Sequence, residues 1–238
     1  MNMIKTISAL AMALCVSIIA WAEPKDYCIE VGNFYELNVL NNLNVDYRFS
    51  TDSAGLAVFT AEPDVAHVLM FSNNKKGHLF VQVADENIPF DQLPRVTVYS
   101  SELTQVYNGS RGLISILSLR PATKFTARTS ENGGIKIIGL EAEEVQLNIS
   151  TGKGTITVSG TCEKLNCKNV GTGTIEAREL EAHNINCTIV GTGHIYCNST
   201  GGELNLKGTG SGKVHYLGTP SKIKVRKLGS IKAIPITD

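Results

Sequence analysis

No aspartate occurs between Asp91 and Asp238. That gap removes one half of the acidic chemistry of glycosidic hydrolysis, which needs two carboxylates across a single bond. It also excludes calcium repeats of the Gly-Gly-x-Gly-x-Asp type. Glutamates remain in the interval, Glu163, Glu176, Glu179, Glu181 and Glu203 among them, without an obvious paired set. Excess charge is missing as well: 22 basic residues meet 22 acidic ones. A near-neutral chain has no electrostatic reason to seek nucleic acid, although the stretch from Lys207 to Lys232 is lysine-rich. The longest apolar run, Ile7 to Ala22, has 16 residues, fewer than the roughly 18 that read as a membrane span. Helical periodicity is not sustained anywhere after residue 23.

The run that does exist looks like a leader. Lys5 is the only charge in residues 1–22, and the apolar stretch ends Ala20-Trp21-Ala22, an A-x-A cleavage pattern. Cleavage would leave a new N-terminus at Glu23 and no transmembrane span in the mature chain. A lipid anchor on Cys15 is not expected, because a lipobox wants a small residue where Leu14 stands. Export to the periplasm, the outer-membrane surface or the exterior puts the cysteines in an oxidising compartment. Five remain there, Cys28, Cys162, Cys167, Cys187 and Cys197, and an odd number argues against a disulfide framework.

What dominates the sequence is an internal repeat. Gly152-Lys-Gly-Thr-Ile156, Gly171-Thr-Gly-Thr-Ile175, Gly191-Thr-Gly-His-Ile195 and Gly210-Ser-Gly-Lys-Val214 align, their first glycines 19, 20 and 19 residues apart. Ahead of each lies a second block: Val145-Gln-Leu147, Leu165-Asn-Cys167, Ile185-Asn-Cys187, Leu204-Asn-Leu206, continued by Ile223-Lys-Val225. Both blocks alternate apolar and polar residues, the mark of half-buried strands. Short strands joined by glycine corners at a spacing of about twenty residues imply a coil that advances one strand separation, about 4.8 Å, per turn. Val145, Leu165, Ile185, Leu204 and Ile223 then form one inward ladder. Leu147, Cys167, Cys187, Leu206 and Val225 form a second, and Ile156, Ile175, Ile195 and Val214 a third. Gln146, Asn166, Asn186, Asn205 and Lys224 point outward. The glycines belong where a positive φ or a close backbone approach excludes a Cβ. The competing architecture, an antiparallel sandwich or barrel, explains short strands but not aligned columns.

The expectation is therefore an all-β chain with a signal peptide over residues 1–22 and one β-solenoid domain over 23–238. Residues 101–238 form the regular rungs. Residues 23–100 hold less regular strands: Leu37 to Val39, Val45 to Tyr47, Leu56 to Phe59, Val65 to Phe71, Leu79 to Val83 and Val96 to Tyr99. Asn73 to Gly77 reads as a turn, and residues 54–82 as hairpins that cap or decorate the coil.

The Gly-Thr/Ser-Gly steps before Ile or Val, and the ending Gly210-Ser-Gly-Lys-Val-His-Tyr216-Leu-Gly218-Thr-Pro220, resemble the bacterial auto-transporter adhesin, head GIN domain family. The similarity spans roughly residues 34–232. It implies a right-handed parallel β-helix and an envelope or surface location. The cysteines depart from the family's usual pattern.

Candidate chemistry is sparse. His67, His78, His183, His194 and His215 show no metal spacing, so no metal or cofactor is expected. Gly208 to Lys213 is too short for a phosphate loop. Cys167 and Cys187 share an inward column on adjacent rungs, within reach of a disulfide but equally at home as buried thiols. One outward column reads Thr157, Glu176, Tyr196, His215. An aromatic beside a histidine can stack on a sugar ring, which makes Glu176, Tyr196 and His215 the candidate surface-binding residues. The expected function is a non-catalytic binding or adhesion module for a glycan or an envelope or host surface component. The alternatives are a polysaccharide-active β-helix enzyme and a self-associating structural protein of the envelope.

Overall fold

The computed structural model describes residues 23–85 and 87–237, so the expected leader lies outside the described residues. Among these, the N-terminal part runs β1 (Lys25–Glu30), β2 (Glu36–Leu40), β3 (Val45–Phe49), β4 (Leu56–Ala61), helix α1 (Pro63–Ala66), β5 (Leu69–Asn73), β6 (His78–Val83) and β7 (Val96–Ser100). The rest runs β8 (Gln105–Gly109), β9 (Leu113–Ile116), β10 (Ala122–Thr129), β11 (Gly134–Ile149), β12 (Thr155–Gly171), β13 (Thr174–Gly191), β14 (His194–Ser199), β15 (Glu203–Gly210), β16 (Lys213–Gly218), β17 (Lys222–Gly229) and β18 (Lys232–Pro235).

Side-chain alternation builds these strands. In β13, Ile175, Ala177, Ile185, Cys187 and Ile189 are buried, while Glu176, Asn186 and Thr188 between them reach toward solvent. Neighbouring turns of the coil then pair in parallel. A first face stacks β2, β8, β10, the C-terminal halves of β11, β12 and β13, then β15 and β17. A second face stacks β3, β9, the N-terminal parts of β11 to β13, then β14, β16 and β18. The register pairs Val145 with Leu165, Leu165 with Ile185, Ile185 with Leu204 and Leu204 with Ile223. The Leu147 and Ile156 ladders follow the same rule. The parallel β-helix expected from the repeat is the fold.

The corners between blocks use glycine in two ways. At Gly191 the backbone takes φ +121°, a region that a side chain rarely enters. Two residues on, a Cβ on Gly193 would meet Nδ2 of Asn169 at 2.4 Å and O of Gly173 at 2.7 Å. The first glycine turns the chain and the second lets one rung lie against the next.

The N-terminal strands join the coil and also close it. β2 and β3 already lie in the stack, but β6 and β7 come back to pair in parallel on their outer sides. Antiparallel pairs appear only here among the described residues: β1 with β4, β4 with β7 and β5 with β6. The cap covers backbone groups that an open end would present to other chains. Asn74 shapes the β5–β6 turn by accepting from the backbone N–H of Lys76 and of His78 through Oδ1. One expected strand, Val65 to Phe71, is corrected. Pro63 begins α1 at a position where its fixed φ suits a helix, so the strand starts only at Leu69.

Candidate functional site

Two outward ladders carry the polar chemistry of the coil. The first lies on the first face. Gln146, Asn166, Asn186, Asn205 and Lys224 stand in one column, and their amides form a directional chain. Asn205 donates to Oδ1 of Asn186 at 3.2 Å, and Asn186 to Oδ1 of Asn166 at 3.0 Å. Asn166 and Gln146 both donate to Oε1 of Glu144, at 3.0 and 2.7 Å. Those donors, Gln146 first, hold the Glu144 carboxyl below its ordinary pKa, aided by Lys124 and Lys164. At the other end Lys224 donates to both oxygens of Glu203, at 2.8 and 2.6 Å, and holds that carboxyl low.

Beside the amides runs a second column: Arg128, Asn148, Lys168, Thr188, Lys207 and Arg226. Together the two columns line a cleft of about 570 Å³ over β11 to β17. Gln146 and Asn148 also line a second hollow, of about 810 Å³, which continues past Arg120, Lys124 and Arg128. Glu144 and Glu203 flank the cleft three rungs apart, about 14 Å at one strand spacing per rung. That exceeds the roughly 5 to 9.5 Å at which paired carboxylates hydrolyse a glycoside.

The second ladder holds the residues singled out in the sequence. The register places Glu176 against Tyr196 and Tyr196 against His215, so all three share one column. Tyr196 and His215 stack with ring centroids 4.7 Å apart at 14°. The Arg178 guanidinium covers Tyr196 at 4.9 Å and grips Glu176 with two bonds of 2.5 and 2.9 Å. His194 lies alongside, 6.0 Å from the His215 ring. Burial, then His194, Lys213 and Arg178, lowers the His215 pKa against the opposing pull of Glu176. Stacking along the coil leaves ring edges and polar atoms facing outward, with the faces of Tyr196 occupied by its neighbours.

Sequence reasoning placed the amide ladder outward but did not join it to the lysine column beside it. The signal was there: Lys168 and Lys207 each follow an amide of the ladder by two positions, as Arg226 follows Lys224. Buried Asn108 and Asn169 were missed altogether. Each donates twice across a glycine corner, Asn169 to O of Gly173 at 2.8 Å and to O of His194 at 3.1 Å. Asn108 does the same with Gly112 and Gly134. In both cases the asparagine stands four residues before a corner glycine.

Cys162, Cys167, Cys187 and Cys197 are buried free thiols, and Cys28 is an exposed one. Contact with Cys167 is the first cause that raises the Cys187 pKa well above its ordinary value, with burial adding to it. Among the described residues no group of three or more His, Cys, Asp and Glu is placed to hold a metal ion. No helix of the described residues is long and apolar enough to cross a membrane.

The coil has known counterparts. A crystal structure titled a "putative adhesin" from Bacteroides fragilis aligns with TM-score 0.78 and 19% identity, over 90% of this chain and 97% of that one. A "putative lipid binding protein" from Parabacteroides distasonis aligns with TM-score 0.70 and 18% identity over the same shares. A "putative adhesin" from Parabacteroides merdae gives 0.65 and 16%, again over 90% and 97%. At these identities the likeness carries the fold alone. Curated proteins give no match. A family model spans residues 33–220, from the first coil through the closing Gly218-Thr-Pro220. The chain belongs to the family described as "Putative auto-transporter adhesin, head GIN domain".

Proposed function

We propose that the protein is an exported, non-catalytic binding and adhesion module of the cell envelope or surface. The observation that carries this reading is the first face: two continuous outward columns, about five rungs long, around a shallow polar cleft. Such a surface suits an extended ligand held by many weak contacts. The wide separation of Glu144 and Glu203, both engaged in hydrogen bonds, favours binding over cleavage. The leader-like residues 1–22 and the family's adhesin description support export. The Glu176, Tyr196 and His215 column is a second contact strip, working through ring edges, the tyrosine hydroxyl and the imidazole.

An array of glycans and envelope polysaccharides, with turnover assays on every hit, tests the reading. Retention without product release is the expected result. Release of oligosaccharide from any polymer overturns the non-catalytic assignment. Mass spectrometry of protein recovered from cell fractions tests export, with Glu23 as the expected first residue. An intact Met1 in the cytoplasm overturns it.

A further inference from the structure

Lys168, Lys207 and Arg226 stand exposed in one column of the first face and form no ion pair among the described residues. Lys224, in the adjacent column, is different: Glu203 neutralises it. Farther along the same face Arg120 lines the continuing hollow together with Lys124 and Arg128, which have acidic partners in Glu144 and Glu36, at 3.9 and 3.6 Å. The whole chain is electrically neutral, so this basic track is a local arrangement rather than a consequence of bulk charge. It runs beside the amide ladder from end to end. From Arg128 to Arg226 it crosses five rung steps, about 24 Å at one strand spacing each. That is the length of a polymer segment rather than of a small molecule.

We propose that this track binds a linear acidic polysaccharide. Its anionic groups sit on Lys168, Lys207 and Arg226, and its hydroxyls meet Gln146, Asn166, Asn186 and Asn205. The inference rests on the binding-module reading and names its ligand class. Sugar hydroxyls both donate and accept, and a carboxamide offers both functions. In the ladder Asn166, Asn186 and Asn205 each donate along the column through Nδ2, and each such nitrogen carries a second N–H. Lys168 and Lys207 are two rungs apart, about 9.6 Å, a step on the scale of two linked pyranose rings. Lys207 and Arg226 are one rung apart, about 4.8 Å, so the unpaired cations suit a charge on each sugar rather than a neutral glycan. No aromatic side chain lines either hollow. Single-stranded nucleic acid therefore lacks its stacking platform. A membrane-surface lipid would want an apolar face to bury, whereas the apolar members of the first cleft, Cys167, Cys187 and Leu206, are buried in its floor and the exposed groups are chiefly amides, hydroxyls and charges.

The test is a titration of the purified mature chain with polygalacturonate, polymannuronate and chondroitin sulfate. Dextran serves as the neutral polymer, and duplex DNA and phosphatidylglycerol vesicles as other anions. The variants are Lys168→Glu/Lys207→Glu/Arg226→Glu and Asn166→Ala/Asn186→Ala, each checked for an unchanged melting curve. The expected result is salt-sensitive binding of at least one acidic polysaccharide, weakened about tenfold or more by the triple charge reversal. The amide variant should blunt discrimination between polygalacturonate and polymannuronate, which carry equal charge on differently oriented hydroxyls. Full affinity in the folded triple variant overturns the site. Dextran bound as tightly as the acidic polymers overturns the ligand class and leaves the binding module standing. DNA or vesicles bound as tightly as the best polysaccharide also overturn the ligand class, because they show bare charge attraction. Retention on no polysaccharide, with the chain still held by intact envelope preparations, overturns the inference alone. Retention on neither sinks the binding-module reading with it.

Discussion

Asn169 occupies a column whose neighbours above and below are Ile149 and Ile189. It is fully buried, and its amide ties the corner carbonyl of Gly173 to the carbonyl of His194 on the next rung. Asn169→Leu keeps the bulk and removes both donors. The Gly173 carbonyl keeps the backbone N–H of His194, so the loss is that of two hydrogen bonds, about 0.5–1.5 kcal/mol each, and the denaturant midpoint should drop with an unchanged slope. A variant as stable as the wild type would show that the corner does not need the amide. His215 offers a pH-dependent counterpart. Its native pKa is depressed from the ordinary 6.5, chiefly by burial. The unfolded chain therefore takes up a proton that the native state refuses. The contribution is whole above 6.5 and is lost as pH falls through the lower native value. Glu144 and Glu203, depressed from 4.5, add their own loss only below that value. Thermal melts of the wild type should fall as pH drops below 6.5, and His215→Gln should flatten that part of the curve while sparing the acid limb. Equal slopes in the two proteins would remove His215 as the cause.

At the scale of the element, the glycines separate two kinds of constraint. Gly139 has φ +65°, and a Cβ placed on it would meet nothing within 4 Å, so only backbone conformation speaks against a side chain there. Gly193 is the reverse case, pressed against Asn169 and the Gly173 carbonyl. Gly139→Ala should cost about 1–2 kcal/mol, the strain of a left-handed residue. Gly193→Ala should cost more, because rungs must separate to admit the methyl group. Urea unfolding of both variants checks the order, and a milder Gly193→Ala would mean that the coil spreads freely. The rungs were legible in the sequence because each makes the same demands at the same positions: Leu165, Ile185 and Leu204 fill equivalent sites, and so do Gly171, Gly191 and Gly210. The cap was not legible in the same way. β6 returns to β2 across three intervening strands, setting His78 against Glu36, a pairing that no local pattern announces. In Val65 to Phe71 the apolar spacing pointed to a strand, and Pro63 decided the first turn instead. The binding face was half legible. The outward amides repeat at the rung period, but their union with Lys168 and Lys207 in one cleft depends on the width and twist of the sheet.

Over the described residues the coil is closed at one end and open at the other. β17 pairs only with β15, and β18 only with β16, among the described residues. The inward ladders stop there, leaving Ile223 at 40% and Val225 at 42% exposure, and beside them Leu228, in the outward column of Val190 and Thr209, stands at 72%. An unpaired apolar edge invites a second copy, and self-association, the third function expected from the sequence, would use this edge. Yet the same rung carries Lys222, Lys224, Arg226, Lys227 and Lys232, and among the described residues only Lys224 has an acidic partner, Glu203. Two such ends brought face to face would oppose like charges across the seam. At about 0.01 M salt the Debye length is about 30 Å, and repulsion governs; at about 1 M it is about 3 Å, and the apolar contact governs. Light scattering on the purified chain should therefore report a monomer at low salt and a growing dimer at high salt. Leu228→Lys should abolish the high-salt dimer, since it adds a charge at the most exposed apolar residue beside the open ladders. A dimer already present at low salt would mean that the lysines do not guard the edge. A strict monomer at high salt would mean that Ile223, Val225 and Leu228 are covered by the chain's own side chains once the rung is in water.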